Sequence, residues 1–193
     1  EATGENCKDV TYASDNETVA SVDENGKVTA KAAGTAVITA TSAAGKTAQY
    51  KLTVKTPSVK LNASAKTLYV KGSPATVTLK ATTAGVTGKV TYTSSKPSVV
   101  AVAANGKVTA KAAGTAVITA KCGNYKATCK ITVKKPAVKA SASAKTVFVG
   151  GTSQIKVEKT GVSGKVTYTS SNKSVAVVSA GGKVTAKKAG TAT

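Results

Sequence analysis

The stretch VTYTSSKPSVVAVAANGKVTAKAAGTAVITA, residues 90–120, decides the fold. Val90 and Tyr92 fall on one face of an extended chain, and Lys89, Thr91 and Thr93 on the other. Lys107-Val108-Thr109-Ala110-Lys111 repeats the alternation. A period of two marks strands buried on one side. The β-branched Val, Ile and Thr, stiff at χ1, suit a pleated surface. Ala is abundant, but it sits among Thr, Val and Gly and carries no helical period. Asn105-Gly106, between Val100-Ala101-Val102 and Val108-Thr109-Ala110, predicts a two-residue type I′ hairpin. That turn needs positive φ at both positions, which Asn and Gly tolerate best.

Outward from this stretch the alternation continues. Strands are expected at 58–62 with 66–70, and at 75–81, 89–93, 99–103, 106–111, 115–121 and 126–133. Ser94–Ser98 is a polar turn, and Ala113-Gly114-Thr115 interrupts the chain before the next strand. About seven strands in so short a unit predict a sandwich of two antiparallel sheets. Tyr92, Val90, Ile118, Ile131 and Leu79 are its expected core.

The unit recurs. NGKVTAKAAGTAVITA stands unchanged at 25–40 and 105–120, and GGKVTAKKAGTAT begins at Gly181. Val10-Thr11-Tyr12, Val90-Thr91-Tyr92 and Val166-Thr167-Tyr168 correspond. A repeat of roughly 80 residues is longer than a solenoid period and suits small tandem domains. The expected domains are 1–56, 57–135 and 136–193, strung as beads in a rod. The first copy has no counterpart of 58–80, and the last none of 118–133. The expectation is a piece of a longer tandem protein, with only the middle copy whole. Pro57 and Pro136 follow closing strands at equivalent places and restrict swivel at the joints.

The repeat, from V-T-Tyr through S-S-x-x-S-V and N-G-K-V-T-A to A-G-T-A-V-I-T-A, resembles the bacterial Ig-like domain of group 2. It matches Val90–Ala120 closely, Val10–Ala40 well, and Val166–Thr193 to the last residue. Where that family often carries Trp, this chain has Tyr12, Tyr92 and Tyr168, its expected core aromatics. The resemblance implies Ig-like sandwiches arranged in tandem on bacterial surface or secreted proteins, or on phage virions, and no catalytic site.

Charge is one-sided. All 28 basic residues are Lys, and seven of the eight acids lie between Glu1 and Glu24, so net charge reaches +20. Without Arg, and with few aromatics, the chain lacks the usual means of reading bases, so no specific nucleic-acid partner is expected. Lys and Thr on solvent faces keep strand edges soluble. A weaker extension is attraction to anionic polymers such as cell-wall phosphates, or to glycans.

Little else suggests chemistry. There is no His, which removes imidazole bases, His-based triads and His-containing zinc sites. Asp9, Asp15, Glu17, Asp23 and Glu24 follow no calcium-loop spacing and read as solvated loop charge. No catalytic, cofactor or metal residue is assigned, no cofactor is expected, and no membrane span is present in this stretch. Cys122 and Cys129 flank Gly123-Asn124 on the inward face, and two geometries are open. A two-residue turn sets Cys129 too far along the ladder to bond Cys122; a six-residue loop would let them form a disulfide. A core Cys129 is the favoured reading, since Tyr50 takes its place in the first copy. Cys7 falls in a loop and fits either a free thiol or an inter-chain link.

The expected function is a non-catalytic spacer of a bacterial extracellular or cell-surface protein, in a stalk, fibre or surface layer. Its partners would be Ig-like domains of the same or neighbouring chains. The alternatives are an adhesive module for host glycans or cells, and a phage virion decoration domain.

Overall fold

A computed structural model describes residues 9–193, and all regular structure among them is strand. Cys7 and the first two acids lie outside the described residues. Two compact units form: 9–59 with 83–88 and 122–125, and 60–82 with 89–121 and 126–193.

In the first unit, β1 (Thr11–Ser14), β4 (Gly34–Thr41) and β5 (Thr47–Val54) make one sheet in the order β1-β4-β5. β2 (Ala20–Val22) and β3 (Val28–Ala30) form a ribbon. Val19, Ala20 and Ala36 are buried together, with Leu52 and Val54 packed against them.

The middle copy adds β6 (Ser58–Leu61), β7 (Ala65–Tyr69), β8 (Thr76–Thr78) and β9 (Ala81–Ala84). It continues with β10 (Thr91–Ser94), β11 (Val100–Val102), β12 (Lys107–Ala110), β13 (Gly114–Cys122) and β14 (Tyr125–Lys134). One sheet runs β10-β13-β14-β7, a second β11-β12-β8, and β6 pairs with β9. Leu68, Leu79, Val100, Val108, Ile118, Cys129 and Ile131 are buried in one cluster between the two larger sheets. Burying an aliphatic side chain of this size stabilises by about 1.5–3 kcal/mol. Of the five expected core residues, Leu79, Ile118 and Ile131 are fully buried, while Val90 and Tyr92 are half-buried.

Three departures from the expected strands have local causes. The 75–81 strand splits into β8 and β9. The Leu79 amide donates to Gly106 O at 2.9 Å, and the Asn62 side chain accepts the Lys80 amide at 3.0 Å. The chain thus leaves β12 for β6. β7 pairs with β14 in parallel, Ala65 facing Lys130 and Tyr69 facing Lys134, so the sandwich is not wholly antiparallel. After pairing β9 through β6, the same stretch of chain changes sheets near Asn62 and so runs alongside β14 in its own direction.

The third concerns Asn105-Gly106. Gly106 has φ 80°, but Asn105 does not have positive φ, so the turn is not type I′. The Gly106 amide donates to Ala103 O and the Ala103 amide to Lys107 O, both at 2.9 Å. Ala104, Asn105 and Gly106 therefore make a three-residue loop with its left-handed residue last, the next commonest hairpin connection. Asp23–Lys27 and Ser179–Lys183 close by the same two bonds.

In the last copy, β15 (Ala137–Ala142), β16 (Thr152–Thr160), β17 (Ala176–Val178) and β18 (Lys183–Ala186) form one sheet, ordered β15-β16-β18-β17. The register repeats across copies. Ala20 faces Ala30, Val100 faces Ala110, and Ala176 faces Ala186. Tyr12 faces Ala40 as Tyr92 faces Ala120.

Candidate functional site

The three tyrosines stand in one repeated arrangement. Each ring lies over the glycine that ends the three-residue hairpin loop: Tyr12 over Gly26, Tyr92 over Gly106, Tyr168 over Gly182. A methyl group built on these glycines would meet the ring at 2.8, 3.1 and 2.9 Å. These glycines combine a positive φ with a ring overhead, so two independent constraints exclude a side chain. In the middle copy the Tyr92 hydroxyl also accepts the Ala81 amide at 3.1 Å, tying β10 to the start of β9.

A second lock was not read from the sequence. A methyl on Gly34 would run into Val19 at 2.6 Å, on Gly114 into Val99 at 3.3 Å, and on Gly190 into Val175 at 2.8 Å. The A-G-T triplet therefore makes room for a valine as well as interrupting the chain. Its signal was the shared spacing between the valine of T-V or S-V (Val19, Val99, Val175) and A-G-T in each copy.

The remaining candidates resolve into scaffolding. Asp15 Oδ1 accepts the Val37 amide at 2.7 Å, and the Ser95 hydroxyl does the same for Val117 at 2.9 Å. Asp23 Oδ1 accepts the amides of Asn25 and Lys27 at 3.0 and 2.9 Å, bracing the hairpin loop. These acids fasten turns within their own copy. Among the described residues no three His, Cys, Asp or Glu side chains converge.

Cys122 and Cys129 are free, buried thiols. β13 ends at Cys122 and β14 begins at Tyr125, so the two-residue turn is the geometry adopted and the disulfide is not formed. The Cys122 thiol donates to Gly88 O at 3.4 Å. Burial pushes the Cys129 thiol above its ordinary range, and the Lys66 charge opposes this only in part. Cys129 is thus held protonated, the state of an inert core thiol.

In the first copy Tyr50 faces Ile38 across the β4–β5 ladder and is 65% exposed among the described residues, bordering an open cleft with Tyr12, Val28 and Ile38. Cys129 is fully buried, in the cluster that holds Leu68 and Leu79.

Lysines fill the solvent faces. On β14 Lys126, Lys130 and Lys134 are exposed at every fourth residue, alternating with buried Cys129, Ile131 and Val133. They share one side of the strand with Thr128 and Thr132, a charged and hydroxylated face without an acid.

The chain is similar to domains 4–9 of surface layer protein SbsC, at 23% identity and a TM-score of 0.36, over 82% of this chain and 29% of that one. It is similar to SbsC domains 4 and 5 at 29% identity, TM-score 0.34, over 65% of this chain and 70% of that one. A 282-residue C-terminal fragment of intimin, solved with the intimin-binding domain of the translocated intimin receptor, gives 22% identity and a TM-score of 0.36. That match covers 68% of this chain and 53% of the fragment. The chain spans less than a third of the first of these structures. No curated protein matches it. The profile of bacterial Ig-like domains matches residues 88–135, and that of bacterial Ig-like domains of group 2 matches 1–54 and 131–193, together more than half the chain. The chain therefore belongs to the bacterial Ig-like domain family, group 2.

Proposed function

We propose that the chain is a non-catalytic spacer of a bacterial extracellular or cell-surface protein. It consists of consecutive Ig-like units at 1–56, 57–135 and 136–193. The observation that carries this reading is which residues the copies share. They are the turn glycines, the tyrosines and valines packed on them, and the strand registers. What is copied is a frame. The acids, cysteines and exposed aromatics differ between copies. A protein selected for length needs the frame and tolerates variation elsewhere.

The lysine faces add a secondary role, a diffuse attraction to anionic polymers of the cell wall. Such attraction is screened by salt, with a Debye length of about 10 Å at 0.1 M and about 3 Å at 1 M. The expected result is weak retention on an immobilised polyanion that is gone by about 0.5 M NaCl, with no preferred glycan on an array. Saturable binding of one glycan that survives that salt would overturn the spacer reading in favour of the adhesive one.

A further inference from the structure

Asparagine precedes glycine twice, at Asn25-Gly26 and Asn105-Gly106, each time in the three-residue hairpin loop. The pair is chemically labile. The glycine nitrogen, on losing its proton, can attack the asparagine Cγ. A C–N bond forms, the side-chain nitrogen leaves as ammonia with that proton, and a five-membered succinimide remains. Water then opens one of the two ring C–N bonds and leaves aspartate or isoaspartate. One water is consumed, one ammonia is released, and nothing is oxidised or reduced. The attack requires Cγ to come within reach of the nitrogen, so a side chain held elsewhere must first let go. Asn25 and Asn105 are both exposed to the water that the second step needs.

What holds them differs. In all three copies a side chain caps the amide that follows the loop. The Lys27 amide donates to Asp23 Oδ1 at 2.9 Å, the Lys183 amide to Ser179 Oγ at 3.1 Å, and the Lys107 amide to Asn105 Oδ1 at 3.0 Å. Asp23, Ala103 and Ser179 hold the same place, just before the loop. Asp and Ser accept from there. Ala has no acceptor, so in the middle copy Asn105 takes the amide instead. In the first copy Asp23 occupies that amide, and it accepts the Asn25 backbone amide as well, at 3.0 Å. The attacking nitrogens do not discriminate, since Gly26 donates to Asp23 O at 3.0 Å and Gly106 to Ala103 O at 2.9 Å. Nor does the sequence that follows, because residues 25–40 recur unchanged as 105–120.

We propose that Asn25 is a site of spontaneous deamidation in the folded chain, that Asn105 is spared, and that the residue just before the loop decides between them. The co-reactant is water. The product adds a carboxylate beside Asp23 and Glu24. The iso form also adds a backbone carbon to a loop whose last glycine is pinned beneath Tyr12, so the first hairpin loosens as the protein ages.

Mass spectrometry tests this. The folded chain is aged at mildly alkaline pH and digested briefly with trypsin, giving peptides 9–27 and 90–107, because Pro97 blocks the cut after Lys96. Exchange of amide for carboxylate is then read in each peptide and assigned by fragmentation to the asparagine before glycine. Asn25 should react about fivefold faster than Asn105, the factor that one net hydrogen bond represents. Ala103→Asp should raise the Asn105 rate about fivefold, and Ala103→Ser, which copies Ser179 without a charge, should do the same. Asp23→Ala should slow Asn25 by a similar factor, because Asn25 then takes up the Lys27 amide. In urea strong enough to unfold the chain the two asparagines should react alike. A gap between them that persists in urea, an Asn105 as fast as Asn25 in the folded chain, or an Asn105 rate that both Ala103 variants leave unchanged would overturn the proposal.

Discussion

Replacing Tyr92 by Ala is expected to destabilise the middle copy by about 3 kcal/mol, at the low end for a core aromatic because the ring is only half-buried. The ring packs against the buried cluster and over Gly106, and its hydroxyl holds the Ala81 amide. Tyr92→Phe keeps the ring and loses one hydrogen bond, so about 1 kcal/mol is expected. Native-state hydrogen exchange at the Ile118 and Ile131 amides reads this copy alone. Both amides should exchange about a hundredfold faster in Tyr92→Ala, the factor that about 3 kcal/mol represents. Unchanged protection would remove Tyr92 from the core.

Gly106→Ala should be comparably severe, about 3 kcal/mol in all. An alanine at φ 80° costs about 1 kcal/mol in backbone strain. Its methyl would also collide with Leu79 O and the Tyr92 ring, which must shift and open the core. Gly45→Ala separates the two contributions, since Gly45 has φ 72° but no atom within 4 Å of the added methyl. It should cost about 1 kcal/mol. Thermal unfolding of the two variants compares them directly. Equal losses would mean that backbone conformation alone demands glycine at the hairpin, and that the tyrosine lock contributes nothing.

The strands were legible because alternation is a local property. A residue pair two apart shares a face whatever the chain does later, and so β10 through β14 fall where Thr91–Lys134 alternates. Partner choice is not local. Nothing in Ala75–Ala81 announces that β8 pairs with β12 while β9 pairs with β6, because the switch is made by Gly106 O and the Asn62 side chain, both distant in sequence. The parallel pairing of β7 with β14 was hidden for the same reason. Asn105-Gly106 misled differently. The dipeptide suits two loop types, and the choice follows from Ala103 pairing with Lys107, not from Asn105.

The site residues divide along the same line. The tyrosines were found because they recur, yet what they touch, the loop glycine, became visible only in three dimensions.

Retention of the intact chain on immobilised polyanions, read against salt, tests the central claim most directly. A spacer whose charge is spread over solvent faces, at a net charge of +20, holds such a polymer only through screened attraction. The account predicts retention at about 0.05 M NaCl that is gone by about 0.5 M, and that is the same for polymers of different sugar content. Saturable binding of one polymer that survives about 0.5 M NaCl would contradict it, because a spacer carries no site for a particular ligand.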